Sequence, residues 1–205
     1  MTEKSSDTPL TAQLWTARSA EETRAIYSDW ASHYDADVTG AGYKTPARIA
    51  AALAKASDDL TAPILDFGCG TGLSGKALSA AGFTTIDGTD ITPEMVDRAR
   101  ALDLYRHLTV SEPGAGPDPG YAAIAASGAV SLGAAPPETL GTLVAALAPG
   151  GLLALSYNDA TLADTAYRDA LQTVLATTAK LLSEEYGPHL TAKDMGSTVY
   201  VLRKH

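Results

Sequence analysis

The sequence predicts an α/β protein whose mostly parallel, doubly wound sheet carries helices on both faces. Three observations carry this. Short apolar runs at 64–67, 84–91, 121–126 and 152–156 alternate with stretches whose apolar residues recur every three or four positions. Those are the signatures of buried strands and amphipathic helices. The first run, Ile64-Leu65-Asp66-Phe67, passes through Gly68, Gly70 and Gly72 into a helix-forming segment, and the second ends on an acid, Asp90. Alternating strands and helices call for a parallel sheet with an open crevice at the strand ends.

Taken in order, residues 1–12 are polar and aperiodic and read as a flexible arm, leaving 13–205 as one domain. Ser19 and Glu22 form a capping box. Behind it, Thr23, Ile26, Tyr27, Trp30 and Tyr34 make one aromatic helix face, suited to core packing or to lying across a ligand mouth. Gly40 and Gly42 interrupt it, and Thr45 caps a helix with Pro46 at its first position. The stretch from about 19 to 57 is therefore expected to be a helical lid.

Beyond the first strand, Leu73, Ala77, Leu78 and Ala81 line a helix that Gly82 ends. After the second strand, Thr92 and Pro93 start a helix with Met95, Val96 and Ala99 inward. His107–Ser111 is a weak third strand and Tyr121–Ala126 the fourth. Pro136, Pro137 and Glu138 open a helix that stops at Pro149-Gly150-Gly151, before a fifth strand over 152–156. One long helix is predicted from about Leu162 to Ala176, then strands near 180–186 and over 198–202.

Composition bounds the function. Among 205 residues, 45% are hydrophobic and 19% charged, which suits one globular domain with a full core. A net charge of −9 leaves no basic excess to neutralise phosphates, so nucleic acid and anionic membranes are disfavoured as partners. Cys69, the single cysteine, excludes an internal disulfide; His33, His107, His189 and His205 show no metal-ligand spacing, so no metal site is expected. Neither an apolar leader nor a membrane-length run is present, and a soluble cytoplasmic protein is expected.

The glycine stretch discriminates between ligand classes. Glycines after a strand let the chain turn sharply and let a ligand meet bare backbone, while the next helix presents free N–H groups. A dinucleotide fingerprint needs a small residue where Leu73 stands, and a phosphate loop needs a hydroxyl where Ala77 follows Gly75-Lys76. An acid followed by G-x-G-x-G fits fully, as Asp66-Phe67-Gly68-Cys69-Gly70-Thr71-Gly72. It resembles motif I of the class I S-adenosylmethionine-dependent methyltransferases. Ile86–Met95 and Leu147-Ala148-Pro149-Gly150-Gly151 resemble further motifs of that family. Tyr27-x-x-Trp30-Ala31-x-x-Tyr34-Asp35-x-Asp37-Val38, with Tyr43-x-x-Pro46, resembles the small Williams–Beuren-region methyltransferase-like subfamily.

The resemblance implies a Rossmann-like seven-stranded sheet with an antiparallel last strand. It also implies ligand contacts. The Gly68 and Gly70 backbone, with Cys69 between, would meet the methionine portion of S-adenosylmethionine, and Asp66 its ammonium. Asp90 would take the ribose hydroxyls and Ile91 the adenine face, with Ser111 and Glu112 at the adenine edge. Ala126 and Ser127 would line the methionine side, and Tyr34 would close over the cofactor. Weak catalytic candidates are Tyr34, Tyr157 and Asn158, the last better suited to capping a helix. Ala122 and Ser131-Leu132-Gly133 depart from the family pattern. The implied activity is methyl transfer to an oxygen, nitrogen or carboxyl of a small molecule, releasing S-adenosylhomocysteine. The alternative is a non-catalytic protein that binds S-adenosylmethionine or a partner.

Overall fold

The computed structural model describes residues 9–205. Its sheet has the order β3-β2-β1-β4-β5-β7-β6. These strands are β1 Ile64–Phe67, β2 Ile86–Asp90, β3 His107–Val110, β4 Tyr121–Ala126, β5 Leu147–Asn158, β6 Ala179–Leu190 and β7 Met195–Lys204. β1 to β5 pair in parallel, and β7 runs antiparallel to both its neighbours. This is the Rossmann-like sheet expected, its last strand reversed. The chain steps outward from β1 to β3 and then returns to β4 on the other side of β1. A crevice must therefore open at the carboxyl ends of β1 and β4.

Strand alternation sorts the core into two layers. Leu65, Ile124, Leu153 and Leu155 pack with Leu140 and Leu143 of α6 (Thr139–Ala146) and with Leu171 and Val174 of α8 (Thr165–Thr177). Ile64, Ile86, Leu152 and Ala154 pack with Ile49 and Leu53 of α3 (Thr45–Ala56) and Leu78 of α4 (Leu73–Ala80). A third cluster holds the N-terminal segment, α1 (Ala20–Trp30) and α2 (Tyr34–Gly40), with Leu10, Leu14, Trp30, Val38 and Leu190 buried together.

The departures from expectation are local. Residues 1–8 of the expected arm lie outside the described residues, but Leu10, inside it, is buried: four positions before Leu14, it joins the same apolar cluster. The aromatic face spans two helices, because the chain turns between Trp30 and Tyr34. The capping box is present, with Ser19 Oγ accepting from Glu22 N at 3.2 Å and Glu22 Oε2 from Ser19 N at 2.8 Å. Thr45 does not cap α3; the helix starts on it and its hydroxyl bonds elsewhere. The long helix divides into α7 (Asp159–Ala163) and α8, because Asp164 Oδ1 accepts from Ala166 N at 2.8 Å and starts a new helix. No helix among the described residues is long and apolar enough to cross a membrane.

Gly75, part of the near-match to a phosphate loop, is a packing position. A Cβ there would overlap the phenol oxygen of Tyr105, and one on Gly88 would come within 2.9 Å of the same ring. Gly75→Ala should lower the unfolding free energy by about 1–3 kcal/mol through overpacking. Replacing a helical glycine returns about 1 kcal/mol, so the net loss falls at the lower end. A denaturant midpoint equal to or above that of the parent protein would contradict this.

Candidate functional site

The site is built on the loop after β1. Gly68, Gly70 and Gly72 adopt φ of +69°, +53° and +93°, a region that a Cβ penalises. A Cβ on Gly68 would lie 2.5 Å from that of Ala129, and one on Gly72 2.5 Å from the Leu102 side chain. One on Gly70 would meet nothing within 4 Å among the described residues. Gly68 and Gly72 therefore let the protein close on itself, whereas Gly70 leaves bare backbone facing open space. The loop hangs from β2, where Thr89 O accepts from Gly68 N at 2.8 Å and Cys69 N at 3.0 Å.

Asp90 ends β2 and holds the loop in place. Its Oδ2 accepts from Gly70 N and its Oδ1 from Thr92 N, both at 2.9 Å. The carboxylate thus joins the glycine turn to the start of α5 (Pro93–Arg100), and each oxygen keeps a further lone pair for a ligand. Burial raises its pKa, against the opposing pull of these N–H donors.

Asp66 lies beneath the loop, fully buried. Its Oδ2 accepts from Ser74 Oγ and from the Tyr105 hydroxyl, each at 2.7 Å, while Oδ1 has no partner among the described residues. Burial pushes its pKa up to about 6, even though both hydroxyl donors favour the charged form. An unsatisfied buried carboxylate oxygen is costly and calls for an explanation in the site's chemistry.

Above the loop is a cavity of about 750 Å³. Gly68, Gly70, Asp90, Ile91, Ser111 and Glu112 line one side. The roof is aromatic. Trp30 and Tyr34 meet edge-on with centroids 4.7 Å apart, and Tyr27 lies 5.9 Å from Trp30 and 6.1 Å from Tyr34. Three contacts tie the N-terminal helices to the floor. The Thr71 hydroxyl donates to Asp35, Arg24 lies 3.7 Å from Glu112, and Tyr43 OH lies 3.3 Å from Ser127 Oγ. Burial lifts the phenol pKa of Tyr27 to about 12, and that of Tyr34 well above its ordinary value.

Most expected site residues converge here. Tyr34, Gly68, Gly70, Asp90, Ile91 and Ser111 line the cavity, as do Glu112, Ser127 and Asn158. Glu112 is largely exposed and faces Arg24. Asn158 caps α7, its Oδ1 accepting from Thr161 N at 3.0 Å. The Cys69 thiol is buried behind the turn, where burial pushes its pKa up. Two expectations need correction. Ala126 is fully buried in the core beside α6, so that only Ser127 of the pair reaches the cavity. Tyr157 is also fully buried, its ring 5.7 Å from Tyr167 and 5.6 Å from Tyr200. Alternation along β5 puts Tyr157 on the face of Leu153 and Leu155, away from the mouth. Tyr105, Ser74, Arg24 and His189 were not foreseen. Only Tyr105 left a trace in the sequence, as two glycines, Gly75 and Gly88, making room for one ring.

A glycine turn hung from β2, a strand-end acid gripping it, and a seven-stranded sheet with its last strand reversed define a class I methyltransferase fold. A family model described as a methyltransferase domain matches residues 41–193, and the chain belongs to that family. Human methyltransferase-like protein 27 is 34% identical over 156 residues, 73% of this chain and 63% of that protein. The chain therefore spans less than two thirds of that relative. Solved structures share the fold, two of them over most of both chains. The cyclase SpnF aligns with a TM-score of 0.67 at 16% identity, covering 92% of this chain and 98% of SpnF. Magnesium protoporphyrin IX methyltransferase from Synechocystis, solved with bound SAH, aligns with a TM-score of 0.66 at 15% identity, covering 89% and 100%.

The state of Asp66 has a thermodynamic consequence. Its folded pKa of about 6 exceeds the 3.8 of an exposed carboxyl, so the native state holds the proton more tightly. The stability this group contributes is full below pH 3.8 and is lost as pH rises through about 6. Between those limits Asp66→Asn should gain on the parent protein by on the order of 3 kcal/mol. Parallel pH–stability curves for the two proteins would contradict the assignment.

Proposed function

We propose that this protein transfers the methyl group of S-adenosylmethionine to an oxygen, nitrogen or carboxyl of a small-molecule acceptor in the cytoplasm. Within the family we place it with the small methyltransferase-like proteins of the Williams–Beuren region, a reading supported by its N-terminal motif. The observation that carries the activity is Gly70. It is the glycine of the turn whose missing Cβ leaves open space beside Asp90, and the buried Asp66 that precedes the turn keeps one oxygen without a partner among the described residues.

These residues fit the cofactor. The Gly68 and Gly70 backbone would hold the methionine portion, the unpartnered Asp66 oxygen its ammonium, and the spare Asp90 lone pairs its ribose hydroxyls. Ile91 would pack on adenine, with Ser111 and Glu112 at its edge and Ser127 on the methionine side. When bound, the cofactor supplies a methyl group already activated by a sulfonium. The protein's own work is then alignment and exclusion of water. Positioning supplies on the order of 7–11 kcal/mol of a barrier, and a dry site strengthens every electrostatic contact. Within the expected lid, α1 and α2 roof the cavity, with Tyr34 over the cofactor, while α3 packs on the sheet. Its raised pKa keeps the Tyr34 phenol protonated, so it acts as a donor and a wall and not as a base.

An acidic chain with a roofed cavity suits a compact acceptor better than a nucleic acid. Incubation with methyl-labelled S-adenosylmethionine and a fractionated metabolite extract should yield a labelled small molecule. Cofactor binding with no labelled product in any fraction would favour the non-catalytic alternative. Asp90→Ala should weaken S-adenosylhomocysteine at least about tenfold, the loss of a charge-assisted hydrogen bond. Unchanged affinity by calorimetry in a folded variant would remove the ribose assignment.

A further inference from the structure

His189, near the end of β6, belongs to the cavity wall, yet nothing above gives it a task. It is 6% exposed, and its ring stands edge-on to Tyr43 at 5.2 Å. Its Nδ1 lies 2.7 Å from Thr45 Oγ1, which lies 3.1 Å from Ser197 Oγ. Arg48 Nη1 donates to that same Ser197 oxygen at 3.0 Å. Thr45 and Ser197 are completely buried.

This relay has a direction, because one member has no choice. A guanidinium only donates, so Arg48 Nη1, which also reaches Ser197 O and Pro188 O, cannot accept the Ser197 hydroxyl hydrogen. Among the described residues the acceptor left for that hydrogen is Thr45 Oγ1, and Thr45 in turn gives its own hydrogen to His189 Nδ1. The reverse order would have Nδ1 donate to Thr45 and Thr45 to Ser197. It would strand the Ser197 hydrogen in the protein interior without an acceptor, the costly outcome for a buried donor. The imidazole is neutral: burial, reinforced by Arg48, lowers its pKa to about 4 against the pull of Asp159. A neutral imidazole that accepts at Nδ1 carries its proton on Nε2. Among the described residues Nε2 has no partner, and it is not sealed off by protein.

A second donor stands nearby. Asn158 is the cross-strand partner of Ser197, and it spends its Oδ1 on Thr161 N and Oγ1. Its amide nitrogen is left as the uncommitted end of a side chain lining the same cavity. Val38, Tyr43 and Leu190 line the cavity with them. Two neutral N–H donors match an oxygen lone pair, and neither offers an ammonium an acceptor.

We propose that His189 is a specificity-determining residue whose Nε2–H, with the Asn158 amide, hydrogen-bonds a carbonyl oxygen of the methyl acceptor, apart from the atom that takes the methyl. Calling that molecule the methyl acceptor rests on the proposed function; the direction of the donor does not.

Long-range proton–nitrogen correlation spectra of histidine-labelled protein read the tautomer directly. The parent protein should show His189 protonated at Nε2 at neutral pH. Ser197→Ala, a small change, leaves Nδ1 as the acceptor for the Thr45 hydrogen, so the Nε2–H form should persist. Titration with acetophenone should move the Nε2–H resonance downfield and bind about tenfold more tightly than the hydrocarbon isostere α-methylstyrene. The Nδ1–H tautomer in the parent protein overturns the proposal, and so does an equal response to the two probes, including none to either. Failure to bind S-adenosylhomocysteine, with these results intact, would remove the methyl-transfer reading and leave the donor assignment standing.

Discussion

Keeping one carboxylate, Asp66, under a glycine turn and out of water constrains much of the site around it. A buried carboxylate must be hydrogen-bonded or take up a proton. Here Ser74 and Tyr105 both donate to a single oxygen, and the other is left without a partner. The Tyr105 ring can reach Asp66 only because Gly75 and Gly88 have no side chains to meet it. A helix position and a strand position thus share one requirement set by a third element. The half-satisfied carboxyl is an unfavourable feature for the fold taken alone, and it is the kind of feature that binding sites retain.

The second carboxylate works differently. Asp90 is satisfied by two backbone N–H groups, so its charge organises the loop itself, fixing Gly70 and the first turn of α5 in one arrangement. Closure from above comes from the N-terminal helices, whose aromatic rings pack on one another and whose polar contacts reach the loop through Asp35 and the third-strand edge through Arg24. Sheet, loop and roof form one enclosure, and in the proposed mechanism enclosure and alignment do most of the catalytic work.

Much of this was legible in the sequence, for physical reasons. Buried parallel strands write themselves as continuous apolar runs, and the glycine turn has few other uses after such a strand, so the sheet and the floor of the site were readable. The errors arose where a side chain's direction or a distant partner decides. Tyr157 was assigned to the mouth from its place after the fifth strand; the strand continues through it, and alternation turns it inward. Thr45 looked like a helix cap, but its hydroxyl serves His189, a residue brought near only by the last two strands. Asp164 divides a helix that periodicity alone joins. Tyr105 and His189 lie in segments with no local pattern, and their roles exist only through tertiary contact.

The central claim is that the turn over Asp66 receives the cationic amino-acid end of the cofactor. Its most direct test is calorimetric titration with S-adenosylhomocysteine near pH 6, in buffers of different ionisation enthalpy. An ammonium arriving at a carboxyl that is partly protonated there must drive off that proton. The account predicts proton release on binding in the parent protein and its disappearance in Asp66→Asn. Binding heats independent of the buffer, or no binding at all, would contradict it.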